Sequence, residues 1–443
     1  MTDLLAARFQ MGLSLAFHII FAVIGIAAPA MMVLAEYRWR RTGDAVFLDL
    51  ARRWGRGTAI LFAVGAVSGT VLSFELGLLW PGFMQVAGPV IGMPFSLEGF
   101  AFFTEAIFLG VYLYGWDKVS PRAHLGAGVI VAVSGALSGI FVVIANAWMN
   151  SPTGFTVAPD GRFTDIDPLA AMATPAAFTQ VLHMIVAAYA ATGLAVAGVH
   201  AVLMLRGRTA RFHRHAMSVA LMIGAPAAIL QPLTGDLSAR FVAKHQPAKL
   251  AAMESLFETT AGAPLAIGGW PDVEARQLRY AIEIPRGLSL LAFHSPTATV
   301  QGLDRVPRAD WPNVPLVHLA FQVMVGLGTY MALVALWAAW LAVRKRAIAD
   351  TRGLLWLLAL GTPTGFVAIE AGWMVTELGR QPWIINGVMR TADAVTPMPG
   401  QAVRTALFLL LYVFLAIVVT VLLTRQIVGS PVTGETREFE VTR

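Results

Sequence analysis

The chain of 443 residues is 57% hydrophobic and only 13% charged, with a mean hydropathy of +0.68 and a net charge of +6. That balance excludes a large soluble core and describes a polytopic membrane protein, whose surplus Lys and Arg belong to loops between spans and give no reason to expect nucleic acid. With no cysteine in the sequence, disulfides, iron–sulfur clusters, thiolate-ligated haem and blue-copper sites are excluded, leaving His, Met and Glu as metal ligands.

Apolar runs long enough to cross about 30 Å of hydrocarbon fall at 9–36, 57–79, 95–116, 124–148, 177–205, 216–234, 314–343, 353–378 and 402–425. The expected fold is therefore an all-α bundle of nine transmembrane helices. Arg38, Arg40, Arg41, Arg52, Arg53 and Arg56 lie between the first two runs, and Lys118 and Arg122 between the third and fourth. Arg206, Arg208, Arg211 and Arg214 lie between the fifth and sixth, with Arg344, Lys345, Arg346 and Arg352 between the seventh and eighth. The alternate connections are nearly free of basic residues, apart from Arg162, Arg380, Arg390 and the long loop after run six. Because Lys and Arg collect on the cytoplasmic side, the N-terminus is expected outside and the C-terminus in the cytoplasm. The first run carries its positive charge mostly after it, so it does not read as a signal peptide. The expected organisation is six spans over 1–234, an extracytoplasmic loop over 235–312, three spans over 313–427 and a cytoplasmic tail over 428–443.

Polar residues inside the runs carry the functional reading. In span one His18 sits about two and a half turns below the outer surface, where an imidazole needs either a packing partner or a metal. Span three carries Glu98 and Glu105, seven residues apart on one face. A carboxylate at mid-bilayer costs on the order of 3 kcal/mol, so such a pair is either protonated and bonded to a neighbouring helix or part of a cavity, proton path or metal site. Span four adds Ser138 and Asn146, groups that often only join helices; the acidic loop after it, with Asp160, Asp165 and Asp167, suggests no chemistry. Span five opens Gln180-Val181-Leu182-His183-Met184 and span seven contains Phe321-Gln322-Val323-Met324. Both begin outside, so His183 and Met324 fall at matched depth and can ligate a low-spin haem, although a lone intramembrane Met is usually core.

The loop after span six is the longest polar segment, and loops of that length in a compact protein are usually functional. Within it, 247–258 reads as a short helix with Leu250, Met253 and Phe257 on one face, able to lie in the interface plane. Lys249 and Glu254 point about 140° apart on it, so they are not an ion pair and read equally as ordinary solvated charges. His124, His200, His213, His215, His245 and His294 read as structural or solvent-facing, while His318 at the start of span seven is a spare haem ligand. Span eight closes with Ile369-Glu370-Ala371-Gly372-Trp373-Met374-Val375-Thr376-Glu377-Leu378-Gly379-Arg380-Gln381-Pro382-Trp383. Glu370 and Glu377 repeat the seven-residue spacing, roughly 10 Å along the axis, and read either as interface-solvated helix-end groups or as lining an internal site. Once the spans are oriented, His18, Glu98, Glu105, Asn146, His183, Met324, Glu370 and Glu377 all fall in the outer half. A redox site there, reached by protons from the inner face, would separate charge across the membrane without a pump.

Gly372-Trp373, Glu377 and Gly379-Arg380-Gln381-Pro382-Trp383 together resemble the signature of subunit I of the cytochrome bd-type quinol oxidases. The likeness extends through Glu98-Gly99 to Phe102-Phe103-Thr104-Glu105, Asn146-Ala147-Trp148-Met149-Asn150, Lys249-Leu250-Ala251-Ala252-Met253-Glu254, Trp270-Pro271-Asp272 and Ala281-Ile282-Glu283-Ile284-Pro285. The loop resembles the short quinol-loop form, which includes the cyanide-insensitive branch. The resemblance implies a terminal oxidase subunit of the bacterial cytoplasmic (inner) membrane that oxidises quinol at the outer face. It would reduce O2 to water with cytoplasmic protons and generate proton motive force without pumping.

The resemblance also implies site residues. His183 and Met324 match the axial ligands of a low-spin haem b of the b558 type. His18 and Glu377 match ligands of a di-haem site holding a high-spin haem b of the b595 type and a haem d or a further haem b, with Trp373 and Arg380 among the cofactor-binding residues. Glu105 and Ser138 are implied in proton relay, Glu98 beside the haems, Glu370 as a supporting carboxylate, and Lys249 and Glu254 in quinol binding. The implied partners are subunit II, a small single-span subunit, ubiquinol or menaquinol, and O2. Two positions depart from the family pattern: Gln322 stands where an Arg usually precedes the Met, and Glu98 and Glu105 are seven rather than eight apart. A proton-coupled secondary transporter is the main rival, but it predicts no haem and usually shows repeated halves, which this sequence does not display. A haem-copper oxidase core needs an adjacent His-His pair, which is missing; His213-Arg214-His215 lies in a basic loop.

Overall fold

A computed structural model describes residues 2–159, 161–208, 211–425 and 429, so the expected tail over 428–443 lies outside the described residues apart from Gly429. Among the described residues, nine helices are long and apolar enough to cross a membrane. In order they are Asp3–Thr42, Ala45–Leu79, Pro81–Tyr114, Pro121–Asn150, Ala177–Leu205, Arg211–His245, Val314–Val343, Arg352–Leu378 and Gln401–Leu423, called spans one to nine below.

Several helices outrun their apolar stretches. Spans one and two are joined only by Gly43, left-handed at φ 69°, and by Asp44, whose side chain caps Val46. Arg38 to Arg56 therefore lie on helical extensions rather than in a loop, held in part by the (i, i+4) pairs Glu36–Arg40 and Asp49–Arg53. Span three begins at Pro81, well before 95, and continues through Pro89 and Pro94. Phe83, Ala87, Val90 and Ile91 of that extension pack against Trp148, Ile384 and Ile385, and this burial outweighs the lost backbone hydrogen bonds. Span six likewise passes Pro226 and Pro232 and runs on to His245. The long loop accordingly starts at Gln246 rather than 235.

Span eight is two helices, Arg352–Leu360 and Thr364–Leu378, interrupted at Gly361-Thr362-Pro363. The break isolates a short piece that carries Glu370, Trp373 and Glu377. The loop between spans six and seven contains the expected helix, Pro247–Glu254, and small hairpins pairing Leu265–Ile267 with Ile282–Ile284 and Trp270–Asp272 with Gln277–Arg279. The apolar face of that helix is covered by protein rather than left open to lipid. Ala251, Ala252, Met253 and Phe257 join Val314, Val317 and Ala320 of span seven and Ala371 and Val375 of span eight in one cluster.

Candidate functional site

His18 and His183 are held by the same device. Ser68 of span two donates its hydroxyl to Val64 O at 3.0 Å, so at 2.9 Å it accepts from the Nδ1–H of His18. Thr234 of span six donates to Gln231 O at 3.0 Å and accepts from Nδ1–H of His183 at 3.1 Å. In each case the hydroxyl selects the Nδ1–H tautomer, which leaves the Nε2 lone pair available to a metal. The Gln231 amide nitrogen, which can only donate, stands 3.2 Å from both ring nitrogens of His183; with Nδ1–H turned to Thr234 it donates to Nε2, a contact that metal ligation would displace.

Each of the residues matched as an axial haem ligand on spans one, five and seven also faces a glycine. A Cβ at Gly69 would stand 3.0 Å from His18 Cε1, one at Gly235 3.5 Å from His183 Cε1, and one at Gly372 3.0 Å from Met324 Sδ. His183 is therefore turned to span six and Met324 to span eight. A His, Met and Glu donor set with a fixed second ring nitrogen and bare helix surface beside it fits haem ligation.

At the end of span eight, Glu377 receives Asn146 Nδ2 on Oε1 and Arg380 Nη2 on Oε2. Arg380 is 4% exposed and also donates to Ile384 O. Both carboxylate oxygens keep a second lone pair, so these bonds leave Glu377 able to ligate a metal. Trp373 shares an apolar cluster with Leu15, Ile19 and Val23 of span one, all within about one and a half turns of His18. Glu370 is not part of this set: its Oε1 is buried without a hydrogen-bond partner.

Asn146 continues towards the loop. Asn150 Nδ2 donates to Asn146 Oδ1 at 3.1 Å, and Lys249 Nζ donates to Asn150 Oδ1 at 2.6 Å. Lys249 and Glu254 are 5% and 6% exposed, which overturns their reading as solvated charges. Burial, then the neighbouring Arg380 charge, brings the Lys249 ammonium down to about 7, against a smaller opposing effect of Glu377. Burial pushes the Glu254 carboxyl up to about 8, partly offset by a hydrogen bond from the Ala266 backbone.

Span seven anchors the loop from the other side. His318 makes its two ring nitrogens available to Met253 O at 2.8 Å and Gly268 O at 3.1 Å, so it is a loop anchor and not a spare haem ligand. Gln322, in place of the family's usual Arg, donates to Ala266 O at 3.1 Å and accepts from Gly268 N at 3.0 Å.

In span three Glu98 accepts from Ser138 Oγ at 3.4 Å. Glu105, 5% exposed, packs over Gly135, where a Cβ would stand 3.3 Å from Oε1. The structure thus brings Glu98, Ser138 and Glu105 onto one interface between spans three and four. At the start of span four His124 is buried rather than solvent-facing, bonded to Glu36 at 3.0 Å and to Tyr112 O at 2.9 Å.

Ser68, Thr234, Asn150 and the loop contacts of Gln322 went unread in the sequence. Asn150 alone left a signal, four residues from Asn146 and hence on the same helix face. The partners Ser68 and Thr234 are common hydroxyls in apolar helices, and only the packing of a second helix singles them out.

Comparison with known proteins finds relatives along nearly the whole chain. Residues 6–431 match the family model of cytochrome bd terminal oxidase subunit I. A Bacillus subtilis (strain 168) protein assigned by name as a cytochrome bd menaquinol oxidase subunit I is 38% identical over 431 residues, covering 96% of each chain. The cytochrome bd ubiquinol oxidase subunit 1 of the same organism is 31% identical over 90% of this chain and 87% of its own. The solved structure of bd oxidase from Geobacillus thermodenitrificans superposes with a TM-score of 0.91 at 39% identity, covering 97% of this chain and 99% of that one.

Proposed function

The chain belongs to the cytochrome bd terminal oxidase subunit I family, and from that premise we propose how its residues divide the work of a quinol oxidase. It is an oxidoreductase subunit and a multi-pass protein of the bacterial inner membrane; the transporter reading finds no support. The family uses haem, works with a second subunit and oxidises quinol.

In our reading quinol binds at the outer face between Lys249 and Glu254, the former donating to one quinol oxygen and the latter accepting a proton. His183 and Met324 hold a low-spin haem b of the b558 type. His18 and Glu377 serve the di-haem site, which takes a high-spin haem b of the b595 type and a haem d or further haem b. Haem, when bound, supplies the electron transfer and oxygen chemistry that no side chain of this cysteine-free chain provides. Arg380 fixes the orientation of Glu377, and Trp373 fills the space towards span one. Glu105 and Ser138 pass cytoplasmic protons upward, with Glu98 at the end of that route and Glu370 as a supporting carboxylate. With quinol protons released outside and oxygen's protons taken from inside, charge is separated without pumping. The N-terminus then lies outside and the C-terminus in the cytoplasm. Subunit II, a small single-span subunit, ubiquinol or menaquinol, and O2 complete the assembly. The exposed apolar faces of spans two and three, among them Phe74, Leu78, Phe100, Phe103 and Ile107, are open to subunit II and lipid.

The observation that carries this reading is the pair of histidines, each with Nδ1 fixed by a hydroxyl and each facing a helix glycine. A reduced-minus-oxidised absorption spectrum of the purified complex tests it. Low-spin haem b bands that disappear in His183→Ala are expected, and an unchanged spectrum in that variant overturns the ligand assignment. Lys249→Ala is expected to impair quinol oxidation with haem content intact; undiminished turnover overturns the loop site.

A further inference from the structure

Asn150 is the last residue of span four and 1% exposed. It makes four hydrogen bonds that face three ways. Its Oδ1 accepts from Lys249 Nζ at 2.6 Å, and its Nδ2 donates to Asn146 O at 3.0 Å and Asn146 Oδ1 at 3.1 Å. Its backbone carbonyl accepts from Gln246 Nε2 at 2.9 Å, at the residue that opens the loop helix. Asn146 in turn donates to Glu377.

The direction of this chain is set at both ends. As the ammonium Lys249 can only donate, and an ionised Glu377 can only accept, so in that state each amide between them must present oxygen towards the lysine and nitrogen towards the glutamate. Reversing either amide would set two donors or two acceptors against each other. The lysine stem is held against the same segment, since a Cβ at Gly379, two residues after Glu377, would stand 2.8 Å from Lys249 Cγ. The end of span four is also fixed to the segment beyond Arg380, with Asn386 N donating to Met149 O at 3.0 Å.

We propose that Asn150 is a positioning residue for quinol oxidation, holding Lys249 in place at the loop site and, through Asn146, tying that site to the Glu377 carboxylate. The proposal rests on the reading that quinol binds at Lys249 and Glu254 and that Glu377 serves a high-spin haem. A quinol oxygen that takes a second N–H of the Lys249 ammonium shares that ammonium with Asn150 Oδ1 and weakens the bond between them. The change in Asn150 is passed to Asn146 and alters the hydrogen bond that Glu377 receives, so occupancy of the quinol site is felt at the oxygen-reducing site.

The test uses the complete oxidase complex carrying Asn150→Ala, Asn150→Asp or Lys249→Ala, with duroquinol as substrate and 2-heptyl-4-hydroxyquinoline N-oxide as a non-oxidisable analogue. Losing a hydrogen bond to a charged group is worth about tenfold or more, so Asn150→Ala is expected to raise KM for duroquinol by that factor with kcat changed less than about twofold. It is also expected to abolish the analogue-induced shift of the high-spin haem bands. Asn150→Asp keeps an acceptor for Lys249 but has no donor for Asn146. It should bring KM back to within about threefold of the parent while the spectral shift stays absent, and it carries the test should the alanine variant lose haem. Unchanged KM and an intact spectral shift in the Asn150 variants overturn the proposal. Undiminished duroquinol turnover in Lys249→Ala instead overturns the loop reading on which it rests.

Discussion

His18 Nδ1 lies 2.9 Å from Ser68 Oγ, and the serine hydroxyl is committed to the span-two backbone, so the imidazole is locked in one tautomer and one orientation. On the ligation proposed above, removing that lock is expected to cost haem affinity rather than fold stability. In metal sites, partners of this kind are worth about 10- to 100-fold in affinity. Ser68→Ala is expected to lower high-spin haem occupancy, and Thr234→Ala to lower low-spin occupancy. Pyridine haemochrome stoichiometry and the reduced spectrum measure both, and full occupancy in either variant would assign that hydroxyl to packing alone.

Asn146 withdraws electron density from Glu377 by donating to its Oε1. Asn146→Leu leaves the carboxylate a stronger donor, which favours ferric iron. The midpoint potential of the haem that Glu377 serves is expected to fall by on the order of 60 mV, equivalent to about 1.4 kcal/mol for a one-electron couple. A spectroelectrochemical titration reads this directly; a potential that rises or stays put contradicts the assignment.

Glu254 gives a pH dependence of definite sign. Its carboxyl is pushed up to about 8 by burial, so it is protonated at pH 6 and becomes a proton acceptor as pH rises through that value. Because the Lys249 ammonium is lost through about 7, the kcat/KM for quinol is expected to rise to a maximum between about pH 7 and 8 and to fall above it, and Glu254→Gln to lack the rising limb. In stability terms the sign is opposite. A carboxyl raised above its unfolded value favours the folded loop below about 4.5 and progressively loses that contribution as pH rises through about 8.

Gln322 and His318 stitch the loop to span seven through Gly268, Ala266 and Met253. Gln322→Leu removes two of those bonds at roughly 0.5–1.5 kcal/mol each. The expected result is faster proteolytic cutting within 260–300 and a higher quinol KM, with the low-spin haem bands in place. Protection equal to the parent would show that the hairpins hold the loop unaided.

The nine spans were legible because hydrophobic runs of that length have few other solutions, and the short loop helix was legible from its Pro and its apolar face. Helix ends were not. The apolar runs open span three at 95 and close span six at 234, yet packing on neighbouring helices carries span three back to Pro81 through Pro94 and Pro89, and span six on to His245. His18, His183 and Glu377 stood out as costly groups in an apolar setting. Their partners Ser68, Thr234 and Asn150 did not, because a hydroxyl or amide acquires meaning only when another helix brings a ligand to it. His318 misled for the converse reason: its partners are backbone carbonyls, which every residue possesses.

The hairpin of Trp270–Asp272 and Gln277–Arg279 turns at Glu274 and Ala275, with the Glu274 side chain 95% exposed, beyond Gly268, whose backbone hydrogen-bonds to Gln322 of span seven. An epitope spliced between Glu274 and Ala275 would thus hang outside both the lysine docking and the Gln322 clasp. Such a handle would leave turnover intact, and antibody access to it in sealed spheroplasts would show which side of the membrane the loop occupies.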